Sequence, residues 1–283
     1  MLIKLEEKHS QELEAYINAA GDEAIYLIKP YAQYKEGNLE GTFYGYQESG
    51  KLTAVFYFSN KSVLALHVIN QKALGNLDLL KAIKYYKPRF IKGLSVAVDG
   101  VYRLICRATS ATSEAKILLM AYTKQNDEVG FIREISSDTS ALKLLSGRNK
   151  MMDELINDMK FFIDVETHFG RQVKAINDLS KDLKLLMNQD NYVLGTIDNE
   201  IVAQGFIEDE TESMGILSGI YVSPKFRRRG YAQAVSMRLT DKLLERGKKP
   251  YLFVKNNNQE AKRLYEKIGY IGVETYTLMT VDY

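Results

Sequence analysis

Residues 222–232 read VSPKFRRRGYA, and this stretch decides the fold. It closes Gly215–Val222 (GILSGIYV), a short apolar run stopped by Ser223 and Pro224, which is the pattern of a buried strand. After Gly230, apolar residues recur at Ala232, Val235, Leu239 and Leu243, one face of a helix that Gly247 is placed to end. The basic loop therefore delivers its backbone onto a helix N-terminus. The first N–H groups converge there and the macrodipole favours negative charge, so the turn is suited to a pyrophosphate. Gly230 lets a ligand approach the main chain closely, and Arg227, Arg228 and Arg229 add cationic charge around it.

A second pattern lies downstream. Tyr251–Val254 (YLFV) is another apolar run, followed by three asparagines and then QEAKRLYEKIGY, in which Ala261, Leu264, Tyr265 and Ile268 share a helical face. Asn258 is a natural N-cap, Gly269 ends the helix, and strand character resumes through Tyr276, Leu278 and Val281.

Strand, RxxGxA, helix, strand, NxxAxxLYxxxGY, strand: this order resembles the GNAT superfamily of acetyl-CoA-dependent N-acyltransferases. The resemblance implies a mixed α/β (α+β) fold with a twisted mixed sheet flanked by helices. It also implies that the pyrophosphate of the cosubstrate acetyl-CoA rests on the backbone amides from Arg227 through Gly230 and Tyr231 to Ala232. The main chain of Ile220, Tyr221 and Val222 would pair with the pantetheine arm, with Asn258 near it. Tyr265 would stand by the thioester sulfur as general acid.

Acetyl transfer needs a neutral nucleophile, whereas an alkyl amine with a pKa near ~10.4 is almost wholly protonated at pH 7. The candidate bases are Glu208, Asp209, Glu210 and Glu212 around the turn after the second hairpin strand, and Glu166; Glu208 is the residue chosen. Backbone N–H groups near Ile220–Val222 would meet the developing oxyanion.

The chain also repeats itself. Leu2–His9 followed by QELEAYI parallels Phe131–Asp138 followed by TSALKLL, and Phe43–Phe58 parallels Tyr192–Ile207 as two strands joined by a turn. Ser62–Ile69 takes the place of Gly215–Val222. Two tandem folds of the same type are expected, 1–125 and 126–283, meeting in the polar stretch Gln125–Glu128. In the first copy NQKALGNLD keeps Gly75 but lacks the arginines, and SVAVDGVYRLICR lacks the second motif, so that domain is expected to be degenerate and non-catalytic. The second copy carries an inserted segment, Asn149–Met187. Met152, Leu155, Ile156, Met159, Phe162 and Ile163 follow a helical period there, and Leu179, Leu183 and Leu186 suggest another helix. In the family, helices at this place wall the acceptor pocket.

Composition agrees with this reading. The 283 residues are 46% hydrophobic and 26% charged, enough to bury a core, and no apolar stretch approaches the roughly 20 residues that span a bilayer. A net charge of +2 confines the basic character to the arginine triplet, so nucleic acid is not an expected partner, and neither is a membrane. The single Cys106 and the absence of a charged-then-apolar leader point to a cytoplasmic, reducing setting. The histidines, His9, His67 and His168, show no metal-ligand spacing, and no metal is expected. The sequence thus points to an acetyl-CoA-dependent N-acetyltransferase acting on a primary amine, with a coenzyme A binder lacking turnover as the alternative. The partners are acetyl-CoA and an amine acceptor, and an oligomer is open.

Overall fold

The computed structural model describes residues 1–107, 109–123, 142–146, 159–173, 175–187 and 190–283. The expected junction at Gln125–Glu128, the Phe131–Asp138 repeat and the helical positions Met152, Leu155 and Ile156 lie outside the described residues, as does the side chain of Leu186. Two compact units divide the chain. The first holds Met1–Met120, Val254–Asn258 and Gly272–Tyr283, and the second holds Ala121–Phe253 and Gln259–Ile271. Among the described residues no helix is long and apolar enough to cross a membrane.

In the first unit the strands run β1 (Leu2–Lys4), β2 (Gly41–Glu48), β3 (Lys51–Ser59), β4 (Val63–Val68), β5 (Phe90–Leu94) and β6 (Ser110–Tyr122), in the sheet order β1-β2-β3-β4-β5-β12-β6. The strand beside β5 is β12 (Tyr270–Asp282), from the far end of the chain, antiparallel with Tyr276 opposite Leu94. Helices α1 (Ser10–Ala20) and α2 (Ile25–Lys35) cover one face of this sheet, and α3 (Leu77–Tyr86) and α4 (Ser95–Ile105) the other. Residues of β3 alternate between them: Val55 and Tyr57 pack with Leu13, Ile17 and Leu27, whereas Phe56 and Phe58 pack with Leu79, Ile83 and Val98. A strand buried on both faces reads as a continuous apolar run, which is why TAVFYF shows no alternation.

The second unit orders its strands β11-β10-β9-β8-β7, with β7 at Lys143–Ser146, β8 at Tyr192–Ile197, β9 at Glu200–Glu210, β10 at Met214–Val222 and β11 at Lys249–Lys255. Helices α5 (Met159–His168) and α6 (Ile176–Met187) are the described part of the inserted segment. Their Met159, Phe162, Val165, Leu179 and Leu183 form a core with Tyr192, Leu194 and Tyr221. Helix α7 (Tyr231–Glu245) packs on β8, β9 and β10 through Val235, Leu239 and Leu243, all wholly buried, while Ala232 of the same expected face is only half-buried. The helix ends where Gly247 turns left-handed at φ 71°, with its N–H bonded to the Leu244 carbonyl. Helix α8 (Gln259–Lys267) carries the second motif.

The C-terminal turn of α7 is fastened by charge. Lys242, its side chain only 6% exposed, donates to Asp190 Oδ1 at 2.7 Å and to the Asp190 carbonyl at 3.1 Å. Arg246 reaches Asp190, Asn191 and Glu210, and Lys248 reaches Glu210 at 2.7 Å. Burial pushes the Glu210 carboxyl up, but the Lys248 and Arg246 bonds outweigh it and hold the group below its ordinary range. The hydrogen bond from Lys242 is the main cause that brings Asp190 down to about 2.

A carboxyl with a depressed folded-state pKa contributes stability that is present above its unfolded value and is lost as pH falls through the folded one. Wild-type stability should therefore fall between about pH 4 and pH 2 on Asp190's account. In Asp190→Asn that part of the slope should vanish, and the pH 7 stability should drop by about 1–2 kcal/mol, a value reduced because Asp190 is half exposed. Urea unfolding at several pH values measures both, and an unchanged acid slope would refute the assignment.

Candidate active site

The parallel ladder between β10 and β11 spans only Met214–Leu217 against Lys249–Leu252. Beyond it the described pairing of β10 is with β9, and there its register shifts: Ser218 lies opposite Phe206 but Tyr221 opposite Gln204. One extra residue of β10 is thus accommodated at Gly219–Ile220, a bulge that bends the strand and turns its edge away from β11. Gly219 takes φ 63°, and a Cβ there would lie 2.1 Å from the Phe206 ring. Both conditions demand glycine. The bulge is held from beneath by Gln204, a buried residue of β9 whose amide accepts from Tyr192 Oη at 2.6 Å and donates to the Gly219 carbonyl at 3.3 Å. Sequence reading missed Gly219 and Gln204; the glycine inside a strand pattern, in GILSGIYV, was the available signal.

Past Val222 the chain makes a single 3-10 turn, Pro224–Phe226, and reaches α7 through Arg228 (φ 62°) and Gly230 (φ 81°). Gly230 is the N-cap residue of α7; among the described residues no side chain caps this helix, and no acidic residue stands in its first turn. The first helical bond is donated by Ala234 to the Gly230 carbonyl, so the amides before it have no acceptor within the helix. Arg227 is pinned back on the strand. Its Nε donates to the Val222 carbonyl at 3.0 Å and its guanidinium lies over the Tyr221 ring. Arg229 lies over Phe226, and all three arginines are exposed. The main chain of Ile220, Tyr221 and Val222 is the splayed end of β10, while the side chains of Tyr221 and Tyr231 are buried.

Tyr265 is buried on α8 with its ring 6.0 Å from that of Tyr270, which is itself fixed by a 2.7 Å bond to Thr240. Burial pushes the Tyr265 hydroxyl up to about 12, so it keeps its proton throughout the neutral range. Asn258 is exposed, directly precedes α8, and belongs to the 254–258 stretch that groups with the first unit.

Of the carboxylates, Glu210 is occupied by Arg246 and Lys248. Glu208 is exposed at a second register shift, between the pairs Ile216–Asp209 and Leu217–Ile207. Glu166 lines a partly open cavity of about 360 Å³ bordered by α5, α6, β8 and β9, which also includes Tyr192 and Gln204. Glu208 is not part of that wall.

The first unit is built differently at the corresponding places. Its turn after β4 is a 3-10 helix, Gln71–Gly75, whose Ala73 and Leu74 are buried, Leu74 against Gly100. The N-terminus of α3 is closed: the Asn76 side chain accepts from the amides of Asp78 and Leu79, and Asp78 places a negative charge in the first turn. His67, the counterpart of Ile220 in the repeat, is buried and bonded to Tyr16 at 2.8 Å and to Glu23 at 3.4 Å.

Gly219→Ala should lower stability by about 2–4 kcal/mol, from left-handed strain combined with overpacking against Phe206. Chemical denaturation measures the loss, and a cost below about 1 kcal/mol would mean that the bulge tolerates a side chain and does not require glycine.

The comparisons with known proteins agree with this geometry. The FR47-like protein family matches residues 195–278. An acetyltransferase of Pectobacterium atrosepticum is 34% identical over 107 residues, covering 36% of this chain and 74% of that protein. Solved structures with the same fold include a GCN5-related N-acetyltransferase from Sphaerobacter thermophilus, at a TM-score of 0.62 and 15% identity over 100% of this chain and 95% of the other. A GNAT-family acetyltransferase from Colwellia psychrerythraea gives 0.54 and 12% over 100% of both chains. A tandem GNAT protein from the clavulanic acid biosynthesis pathway gives 0.59 and 6% over 100% of this chain and 98% of that one. With the motif pair folded into a splayed strand and an uncapped helix, and with a relative matched over most of its length, the chain belongs to the GNAT superfamily of N-acetyltransferases.

Proposed function

We propose that the second unit transfers an acetyl group from acetyl-CoA to a primary amine and that the first unit is non-catalytic. The observation that carries this reading is the N-terminus of α7, left without a side-chain cap behind a left-handed Gly230 at the end of the splayed β10. Such an end attracts a pyrophosphate, and the arginines around it add to the attraction. The fit to coenzyme A is supported further by the edge of β10 beyond Leu217, which has left the ladder with β11 and can offer backbone groups to an extended amide-bearing arm, the Val222 carbonyl excepted, since Arg227 already donates to it. Bound acetyl-CoA supplies the activated acetyl thioester.

The remaining chemistry falls to this chain. Amides of Ile220–Val222, turned out of the β10–β11 ladder, would stabilise negative charge on the acetyl oxygen. As the amine nitrogen bonds to the acetyl carbon and the carbon–sulfur bond breaks, Tyr265 gives its proton to the sulfur. Its raised pKa keeps it a proton donor well past the range in which an ordinary tyrosine ionises. The amine's own proton goes to a carboxylate. Glu166, on the cavity wall, is better placed for it than Glu208, which lies exposed on β9 and would have to act through water.

Calorimetry on the full chain should find one acetyl-CoA site. Gly230→Asp should abolish it, and Gly230→Asn, which accepts the left-handed backbone equally well but adds no charge, should weaken it far less. Equal affinities for the two variants would refute the anion site.

Tyr265→Phe should keep acetyl-CoA affinity while turnover falls roughly tenfold to a thousandfold, measured as thiol release under conditions where chemistry limits the rate. Full turnover in that variant would leave Tyr265 a packing residue.

A further inference from the structure

The 360 Å³ cavity has a chemistry of its own. Phe162 and Val165 of α5, Leu179 and Leu183 of α6 and Phe206 of β9 make most of its wall apolar. Two carboxylates, Glu166 and Asp182, and one guanidinium, that of Arg171, stand on its wall. The ion pair is lopsided. Arg171 approaches only Oε1 of Glu166, at 3.1 Å, and is 47% exposed against 16% for Glu166. Among the described residues no group bonds to the second oxygen of Glu166. Within the cavity the Glu166 carboxylate is felt by the Tyr192 hydroxyl, which burial first and then this charge push upward. Gln204 of the wall is the residue bonded to the Gly219 carbonyl at the bulge, so a single side chain links the cavity wall to β10.

We propose that this cavity receives a small monoamine with an apolar body, aromatic or branched aliphatic, whose ammonium is bound by the open oxygen of Glu166. The proposal rests on the acetyl-transfer reading above and names its acceptor class. The volume matches about twelve waters at about 30 Å³ each, room for a body of about ten non-hydrogen atoms. An α-amino acid bound by its ammonium would hold its own carboxylate close to that of Glu166. A polyamine would leave a second ammonium among Phe162, Leu179 and Leu183, and an aminoglycoside would bury hydroxyls against the same side chains without partners.

The full-length protein is tested with 2-phenylethylamine, 3-methylbutylamine, spermidine, phenylalanine and kanamycin, following thiol release from acetyl-CoA. The two apolar monoamines should exceed the others in kcat/KM by tenfold or more. Glu166→Gln should lose at least tenfold in kcat/KM for 2-phenylethylamine while its calorimetric affinity for acetyl-CoA is kept. A second readout needs no turnover. In the absence of acetyl-CoA, 2-phenylethylamine should raise the melting temperature of the wild type, and the rise should shrink or vanish in Glu166→Gln. Preference for spermidine, phenylalanine or kanamycin would overturn the proposal, as would identical 2-phenylethylamine shifts in the two proteins or no shift in either. Failure of acetyl-CoA to bind would instead sink the acetyl-transfer reading, while the melting shifts would still decide the cavity.

Discussion

The shape of the second unit's sheet depends on one extra residue in β10. A strand can keep ladders with both neighbours only while its register holds, and at Gly219–Ile220 the register with β9 changes. The ladder with β11 ends at Leu217 and the edge of β10 beyond it opens. Gln204 makes the bulge permanent by taking up the Gly219 carbonyl, which would otherwise be a buried acceptor turned out of the sheet. Because Gln204 is held by Tyr192, and Tyr192 lies in the same core as α5 and α6, the shape of the strand and the wall of the cavity are parts of one hydrogen-bonded assembly.

The two units close the helix that follows their central parallel strand in different ways. Both have a helix following a strand whose parallel ladder stops short: β4 pairs with β5 only over Val63–Leu66, as β10 pairs with β11 only over Met214–Leu217. In α3 an asparagine cap and an aspartate satisfy the helix end internally. In α7 the N-cap residue is Gly230, which has no side chain to cap the helix. The first amides of a helix need acceptors in both cases; the residue at the cap decides whether a side chain of the chain itself meets that need.

The motif pair was legible in the sequence because each of its residues is demanded locally. Gly230 stands at a left-handed cap, Val235, Leu239 and Leu243 face the sheet at helical spacing, and Tyr265 shares the apolar face of a short helix. These are requirements of backbone geometry and periodicity, and they leave their marks within a few residues. The tandem repeat was legible for the same reason, since hairpins and apolar strands recur at matching places in both halves.

What the sequence could not state is which distant residues would meet. Glu166 and Gln204 are 38 positions apart (204 − 166 = 38), and only the packing of α5 and α6 over β8 and β9 puts them on one wall. The buried Lys242 looked like any helix-surface lysine until the Asp190 turn closed over it, and the strand that completes the first sheet beside β5 comes from the last residues of the chain. Local patterns report helix ends, turns and buried faces because those are set by neighbouring residues. Cavity walls, buried ion pairs and sheet order are set by which elements come together, and for that the tertiary structure alone decides.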